Sequence, residues 1–218
     1  MASSLGFATS QDVVTPVEPF VELSFPIYGK AIPADHNYAL FAALVKIAPE
    51  IRNQSDLSIL SIPGYGDKQG KILLTDRSCM RVRVAISQTP LVYRFAGKQL
   101  KLGVHDVRVG IPEVSTLKQA GRLSARIVTI KGFLEPESFI AAAQRQLERL
   151  RISGTVSIPR DRNDKFLRKT IKIQRFTVVG FTTEVADLND EDSIRLQQFG
   201  IGGKRHMGCG FFLPCKEN

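Results

Sequence analysis

The sequence predicts an α+β protein made of two tandem ferredoxin-like β-α-β-β-α-β halves packed together. Three observations carry this expectation. Strand-type and helix-type hydrophobic periods follow one another in the same order twice along the chain. Each half holds a helical stripe: Leu40, Phe41, Leu44, Val45 and Ile47 in the first, Phe139, Ile140, Ala143, Leu147 and Leu150 in the second. The 218 residues accommodate two units of about 100 each, and a hydrophobic share of 43% suffices for sizeable cores. The duplication is one of element order, without a strong residue-level repeat. The expected division is a flexible N-terminus over residues 1–17, one half over 18–118, and a second half with a glycine-rich loop over 119–218.

Phe20 to Ile27 alternates Val21, Leu23 and Phe25 on one face and reads as a strand. Pro33-Ala34-Asp35-His36 opens a helix, since proline suits its first turn and an acid suits its dipole. Pro49 or the polar stretch 52–56 ends it. Short strands follow near 57–62, 71–75 and 80–85, with the turn Pro63-Gly64-Tyr65-Gly66-Asp67 among them. A second helix runs over about 88–96, and residues 98–110 read as one strand. The order then recurs: a β-rich run at 122–131, a helix at 136–150, and strands at 154–158 and 170–185, the latter bending near Gly180. A helix at 189–199 carries Asp190, Glu191 and Asp192 at its positive end and closes on Gly200. Residues 211–213 form the final strand.

The segment between that helix and that strand, Gly200 to Phe212, is the most informative in the chain. It holds five glycines and the consecutive Lys204, Arg205 and His206. Successive backbone N–H groups in such a loop form an anion-binding concavity to which Lys204 and Arg205 add charge, so a phosphate is the natural ligand. A dinucleotide fingerprint fails because glycine is needed where Arg205 stands, and a P-loop fails because no Gly-Lys-Ser/Thr opens a helix. The spaced pairs Gly200-Ile201-Gly202 and Gly208-Cys209-Gly210 resemble the C-terminal glycine-rich loop of CRISPR-associated endoribonucleases that cut precursor crRNA within its repeats. These belong to the superfamily of repeat-associated mysterious proteins. The run Gly203 to Gly210 resembles the subtype first named from myxobacteria. The resemblance implies the same paired ferredoxin-like (RRM-like) halves, CRISPR repeat RNA as partner, and possible membership of an interference complex.

The rest of the composition agrees. A net charge of +9 and a pI of about 9.7 suit a polyanion. Arg160, Arg162, Lys165, Arg168, Lys169, Lys172 and Arg175 crowd one segment that reads as a hairpin along a phosphate backbone. With Gly202, Gly203, Lys204, Arg205, His206 and Gly208, the first six of these make up the expected RNA-binding set. Cys79, Cys209 and Cys215 show no CxxC spacing, which favours a reducing compartment. His206, Cys209 and Cys215 lack a fourth zinc ligand. With no apolar run of membrane length and no signal peptide, a cytoplasmic location is expected. No cofactor is expected either.

RNA carries its own nucleophile, the 2′-OH. Cleavage needs a base for it, an acid for the departing 5′ oxygen and positive charge for the phosphorane-like state. Histidine suits the proton transfers, and the chain offers His36, His105 and His206. His36 stands at a helix start, where the dipole disfavours imidazolium. The resemblance places the general acid/base histidine on this first helix. Some family members add a tyrosine and a lysine, for which Tyr38, Tyr28, Lys30 and Lys46 are nearby; Tyr38, two residues on, faces elsewhere on a regular helix. His206 is the rival, lying in the loop expected to hold phosphates. The acids at 187–192 are explained by a helix start, so metal-free cleavage is expected. A metal-independent endoribonuclease leaving 5′-OH and 2′,3′-cyclic phosphate ends is thus one reading. A protein of the same fold that holds structured RNA without cutting it is the other.

Overall fold

The computed structural model describes residues 18–66 and 69–215; the flexible segment expected over 1–17 lies outside them. In the first half, β1 (Phe20–Tyr28) passes through the short β2 (Ala31–Pro33) into α1 (Asn37–Ile47). Then come β3 (Ser58–Ile59), β4 (Tyr65–Gly66), β5 (Lys71–Leu73), β6 (Cys79–Ala85), α2 (Thr89–Tyr93), β7 (Gln99–Leu102), β8 (His105–Val109) and β9 (Glu113–Thr116). The second half runs β10 (Leu123–Val128), α3 (Pro136–Arg149), β11 (Thr155–Ser157), β12 (Arg168–Ile173), β13 (Phe176–Ala186), α4 (Asp190–Phe199) and β14 (Phe212–Pro214).

The main strands lie side by side as β3-β6-β1-β8 and as β11-β13-β10-β14. Numbered within each half, both orders read second, third, first, fourth, which is the ferredoxin-like arrangement. The fold is therefore α+β, with two such halves. One core gathers Leu23 and Phe25 of β1, Leu40 and Leu44 of α1, and Val82 of β6. A second gathers Leu123, Phe139, Leu147, Phe181 and Leu196. Both follow from period-2 strands packed under amphipathic helices.

Several boundaries differ from the sequence reading. Residues 98–110 are a hairpin, β7 and β8, turned by Gly103 at φ 65. Residues 170–185 are likewise two strands, β12 and β13, joined by the turn Gln174-Arg175 with Gln174 at φ 55; Gly180 lies inside β13. Helix α1 begins at Asn37, with Pro33 ending β2 and His36 at the N-cap position. Strands β2, β5 and β4 form a small separate sheet. Strand β9 was not expected. It takes the part of the β1 edge that β8 leaves open, pairing Glu113–Thr116 with Val21–Ser24.

The face of the first sheet opposite its helices is polar, bearing Glu22 on β1 with Arg81 and Arg83 on β6. This face meets the second half. Arg83 is 1% exposed. Its Nη2 donates to Glu22 at 2.8 Å, and its Nη1 donates to the carbonyls of Gln197 and Phe212 at 2.7 and 3.0 Å. Its guanidinium carbon lies 4.1 Å from the Phe211 ring centre. Burial lowers its pKa to about 10, against the attraction of Glu22. The connection between the halves is laid along α4: Gln197 Nε2 donates to the Lys118 carbonyl, and Ser193 Oγ accepts from the Ala120 N–H. No helix among the described residues is long and apolar enough to cross a membrane.

Removing one member of a buried ion pair leaves the other uncompensated. Arg83→Ala is expected to cost about 3–5 kcal/mol of stability. Arg81→Ala is expected to cost about 1 kcal/mol or less, since Arg81 is one-third exposed and Arg83 still holds Glu22. Urea midpoints measure both; equal losses would show that Arg83 does not hold the seam.

Candidate active site

The start of α1, the β12–β13 hairpin and the glycine loop converge at the seam between the halves. Asp35 Oδ2 accepts from the Lys172 N–H at 2.7 Å, and Tyr38 Oη accepts from Gln174 Nε2 at 2.8 Å. The loop reaches α1 through His206, whose ring stacks on Phe41 with centres 4.9 Å apart and planes 9° from parallel.

His36 is turned inward and is 1% exposed. The Ile62 N–H lies 2.9 Å from Nε2, and Nδ1 lies 3.0 Å from the Pro33 carbonyl. An N–H can only donate and a carbonyl only accept, which assigns the proton to Nδ1 and the lone pair to Nε2. Burial, which outweighs the Pro33 carbonyl, lowers the pKa to about 4; Arg126 adds to the lowering. The ring is thus neutral chiefly because it is desolvated, and both nitrogens are engaged. Tyr38 faces the hairpin, away from the His36 ring, as their two-residue spacing requires.

The glycine loop is built on close contacts. Gly202 has φ 80, and a Cβ there would lie 2.6 Å from the Thr129 carbonyl. Gly208 has φ 77 and lies against Ser61 and Asn37; a Cβ there would overlap Ser61 Oγ, so a side chain would push the loop off the segment after β3. The Gly203 N–H donates to the Thr129 carbonyl at 2.8 Å, and the Gly210 N–H to that of Ile127 at 2.9 Å. Lys204, exposed and in the left-handed region at φ 65, leads into a 3-10 turn at Arg205–Met207. Arg205 is folded back, with Nη2 donating to the Gln198 carbonyl at 2.5 Å. Burial lowers its pKa to about 10, opposed by Asp56. His206 donates from Nε2 to the Gln54 carbonyl at 2.7 Å, and burial lowers its pKa. Among the described residues, the exposed Lys204 is the one cation of the loop whose side chain has neither a hydrogen bond nor an ion pair.

The basic segment divides in two. Arg160 pairs with Phe166 in an isolated bridge, contacts Asp164 and lies over the Phe166 ring, so it closes its own turn. Arg162 and Lys165 are exposed in that turn. On β12, Arg168, Thr170 and Lys172 share an exposed face, whereas Lys169 shares the opposite face with Ile171 and Ile173. Ile171 there joins Ile127 and Cys209 in a small third core under the loop; burial raises the Cys209 thiol pKa to about 11. Sequence reasoning overlooked Arg126, whose Nη2 lies 3.4 Å from Ser61 Oγ beside His36. A single charge within Leu123–Val128 was the available signal. His105 opens β8. Among the described residues, no three His, Cys, Asp or Glu side chains converge as metal ligands.

Two ferredoxin-like halves, with a glycine-rich loop before the last strand, are the arrangement expected from the sequence. The model of the family described as Cas6 Crispr matches residues 21–217, and the chain belongs to that family. The CRISPR-associated endonuclease Cas6 of Myxococcus xanthus (strain DK1622) is 35% identical over 195 residues, which span 89% of this chain and 81% of that protein. Two solved structures share the fold at 12% identity. One, named as a CRISPR associated protein Cas6, matches with a TM-score of 0.65 over 92% of this chain and 100% of its own. The other, named as a RAMP protein binding different RNA substrates, matches at 0.69 over 91% and 100%.

Two outcomes follow. The unfolded His36 ring binds a proton below about pH 6.5, whereas the folded ring does so only near pH 4. Its stabilisation is therefore complete above about pH 6.5 and is lost as pH falls to about 4, by about 3 kcal/mol at most. In His36→Gln, the loss of urea midpoint over this window should shrink; an unchanged loss would assign the pH dependence to other groups. The second outcome concerns Arg168→Ala with Lys172→Ala. Removing these two exposed charges should make the slope of log affinity against log salt shallower by roughly 1.5, as measured by filter binding. An unchanged slope would place the β12 face off the RNA path.

Proposed function

We propose that this chain is a metal-independent endoribonuclease that recognises CRISPR repeat RNA and cleaves precursor crRNA. The observation that carries this reading is the convergence at one seam of the α1 start, the basic hairpin and the glycine loop in a chain of the Cas6 family. The endonuclease name of the M. xanthus relative supports it.

In the proposed reaction the 2′-oxygen forms a bond to the scissile phosphorus and the bond to the 5′ oxygen breaks. A base takes the 2′-OH proton and an acid supplies one to the departing oxygen, leaving a 2′,3′-cyclic phosphate and a 5′-OH. We assign proton transfer to His36, which requires the Ile62 N–H to release Nε2 as RNA enters. Tyr38 is assigned to the phosphate beside it. Gly202, Gly203, Lys204, His206 and Gly208, with Arg162, Lys165, Arg168, Lys169 and Lys172, are assigned to RNA binding. Arg160 and Arg205 are assigned to shaping that surface, given their internal contacts. The two halves are taken as 18–118 and 119–218, in line with the two separate cores. We also assign a cytoplasmic location and retention of the crRNA within an interference complex. A second reading, a non-catalytic protein that holds structured RNA in a CRISPR ribonucleoprotein, is favoured by the engagement of both His36 nitrogens.

Repeat RNA incubated with the protein in EDTA separates the two readings. Cleavage is expected in EDTA and is expected to fail on RNA with 2′-deoxy at the scissile nucleotide. His36→Ala should lower the single-turnover rate about a hundredfold or more, with affinity little changed; a melting curve checks that the variant is folded. His206→Ala should lose less rate and at least as much affinity, because its stacking on Phe41 is also removed. Parental rates in folded His36→Ala would overturn its assignment, and cleavage of the deoxy RNA would overturn the 2′-OH route.

A further inference from the structure

The glycine loop has a second side, facing away from His36. There the Gly202–Lys204 backbone, the segment after β10, α3 and β13 enclose a cavity of about 500 Å³. Sites for small organic ligands span roughly 300–1,000 Å³, so the volume fits a group larger than a phosphate. Leu134 and Val179 contribute apolar surface, while Gln146 and Thr177 contribute polar groups. Gln146 Oε1 accepts from the Gly202 N–H at 2.7 Å, and its Nε2 makes no hydrogen bond among the described residues. Lys131 and Lys204 are exposed at its rim and form no ion pair among the described residues. Among the described residues, no carboxylate lines it.

The cavity is continuous with the basic strand. Thr170 is paired with Val179, and Lys172 with Thr177. Directly paired residues share a face of the sheet, so Arg168, Thr170 and Lys172 lie on the same surface as the cavity floor. A polyanion following those charges arrives at an apolar slot with a free amide and two free ammonium groups. A bare phosphate leaves the apolar walls unused, and an aliphatic ligand leaves the amide and the cations unused. A nucleobase uses both, and its flanking phosphates reach the lysines. A base inside a helical stem presents neither its face nor its full edge, so the occupant is unpaired.

We propose that this cavity holds one unpaired nucleobase of the bound RNA, between phosphates paired with Lys131 and Lys204. The inference rests on the RNA-binding reading above and adds to it a site for a nucleotide outside any stem. With a single base seated there, one position should dominate the affinity of the unpaired segment.

The test scans abasic substitutions through the unpaired nucleotides of repeat RNA, with the full chain in EDTA. At one position the abasic change should weaken binding about tenfold. Leu134→Trp, at a half-exposed residue of the rim, should weaken binding of the intact RNA and abolish the abasic penalty at that position. Thr177→Trp fills the cavity from exposed strand and should do the same. The proposal is overturned if no unpaired position shows a penalty, or if folded tryptophan variants keep the full penalty. Tight binding of AMP or UMP, without a position-specific abasic effect, overturns it in favour of a free nucleotide. A parent chain that does not bind repeat RNA overturns the preceding section and this one together. A chain that binds and cuts but shows no penalty overturns the cavity alone.

Discussion

The geometry of the seam depends on one buried guanidinium. Arg83 spans the sheet of one half and the two ends of the glycine loop of the other, since Gln197 precedes that loop and Phe212 follows it. The loop's feet are thereby held at the spacing of two acceptors on one nitrogen. Burying a charge is costly unless its hydrogen bonds are met, and Glu22 with two carbonyls meets most of them. A purely apolar seam would tolerate sliding. This one fixes a register, because Nη1 and Nη2 reach their three acceptors in one relative placement of the halves.

That register positions everything proposed to meet RNA. Holding both feet of the loop brings Gly208 against Asn37 and Ser61 and brings His206 onto Phe41. The hairpin is fixed from the other side by Asp35 and Tyr38, residues more than a hundred positions away in sequence. The exposed face of β12 is thus aimed by contacts at its tip as well as by its pairing with β13. His36 is buried within this assembly, with the Ile62 N–H on its Nε2.

The helices and the glycine loop were legible because their information is local: a 3.6-residue stripe, an Asn189 cap accepting from the Asp192 N–H, a glycine closing α4 at φ 56. The two hairpins were not. Each turn spans two residues, and Gln174 adopts a positive φ without being glycine, so the β pattern runs on unbroken. β9 escaped notice because its residues are exposed and its role is to complete an edge 89 or more residues away in chain order, an edge fixed by β8 stopping short. The burial of His36 and Arg205 was equally hidden, since their partners, the Ile62 N–H and the Gln198 carbonyl, are defined only by how the chain folds back within each half. Charge in a sequence signals a solvated surface by default, and here Arg83 and Arg205 belong to the seam.

β9 has a further consequence. By running along β1 it draws the end of the first half into that half's own sheet, leaving residues 117–122 to cross to β10, and these are bonded along α4. A tether this short gives each half a very high effective concentration of the other, on the order of millimolar or above. Association entropy is then already paid within the chain, which permits a seam built around a buried charge where two separate molecules would need a larger apolar contact. The same two folds cut apart at that tether would lose the circumstance that makes their polar joint affordable.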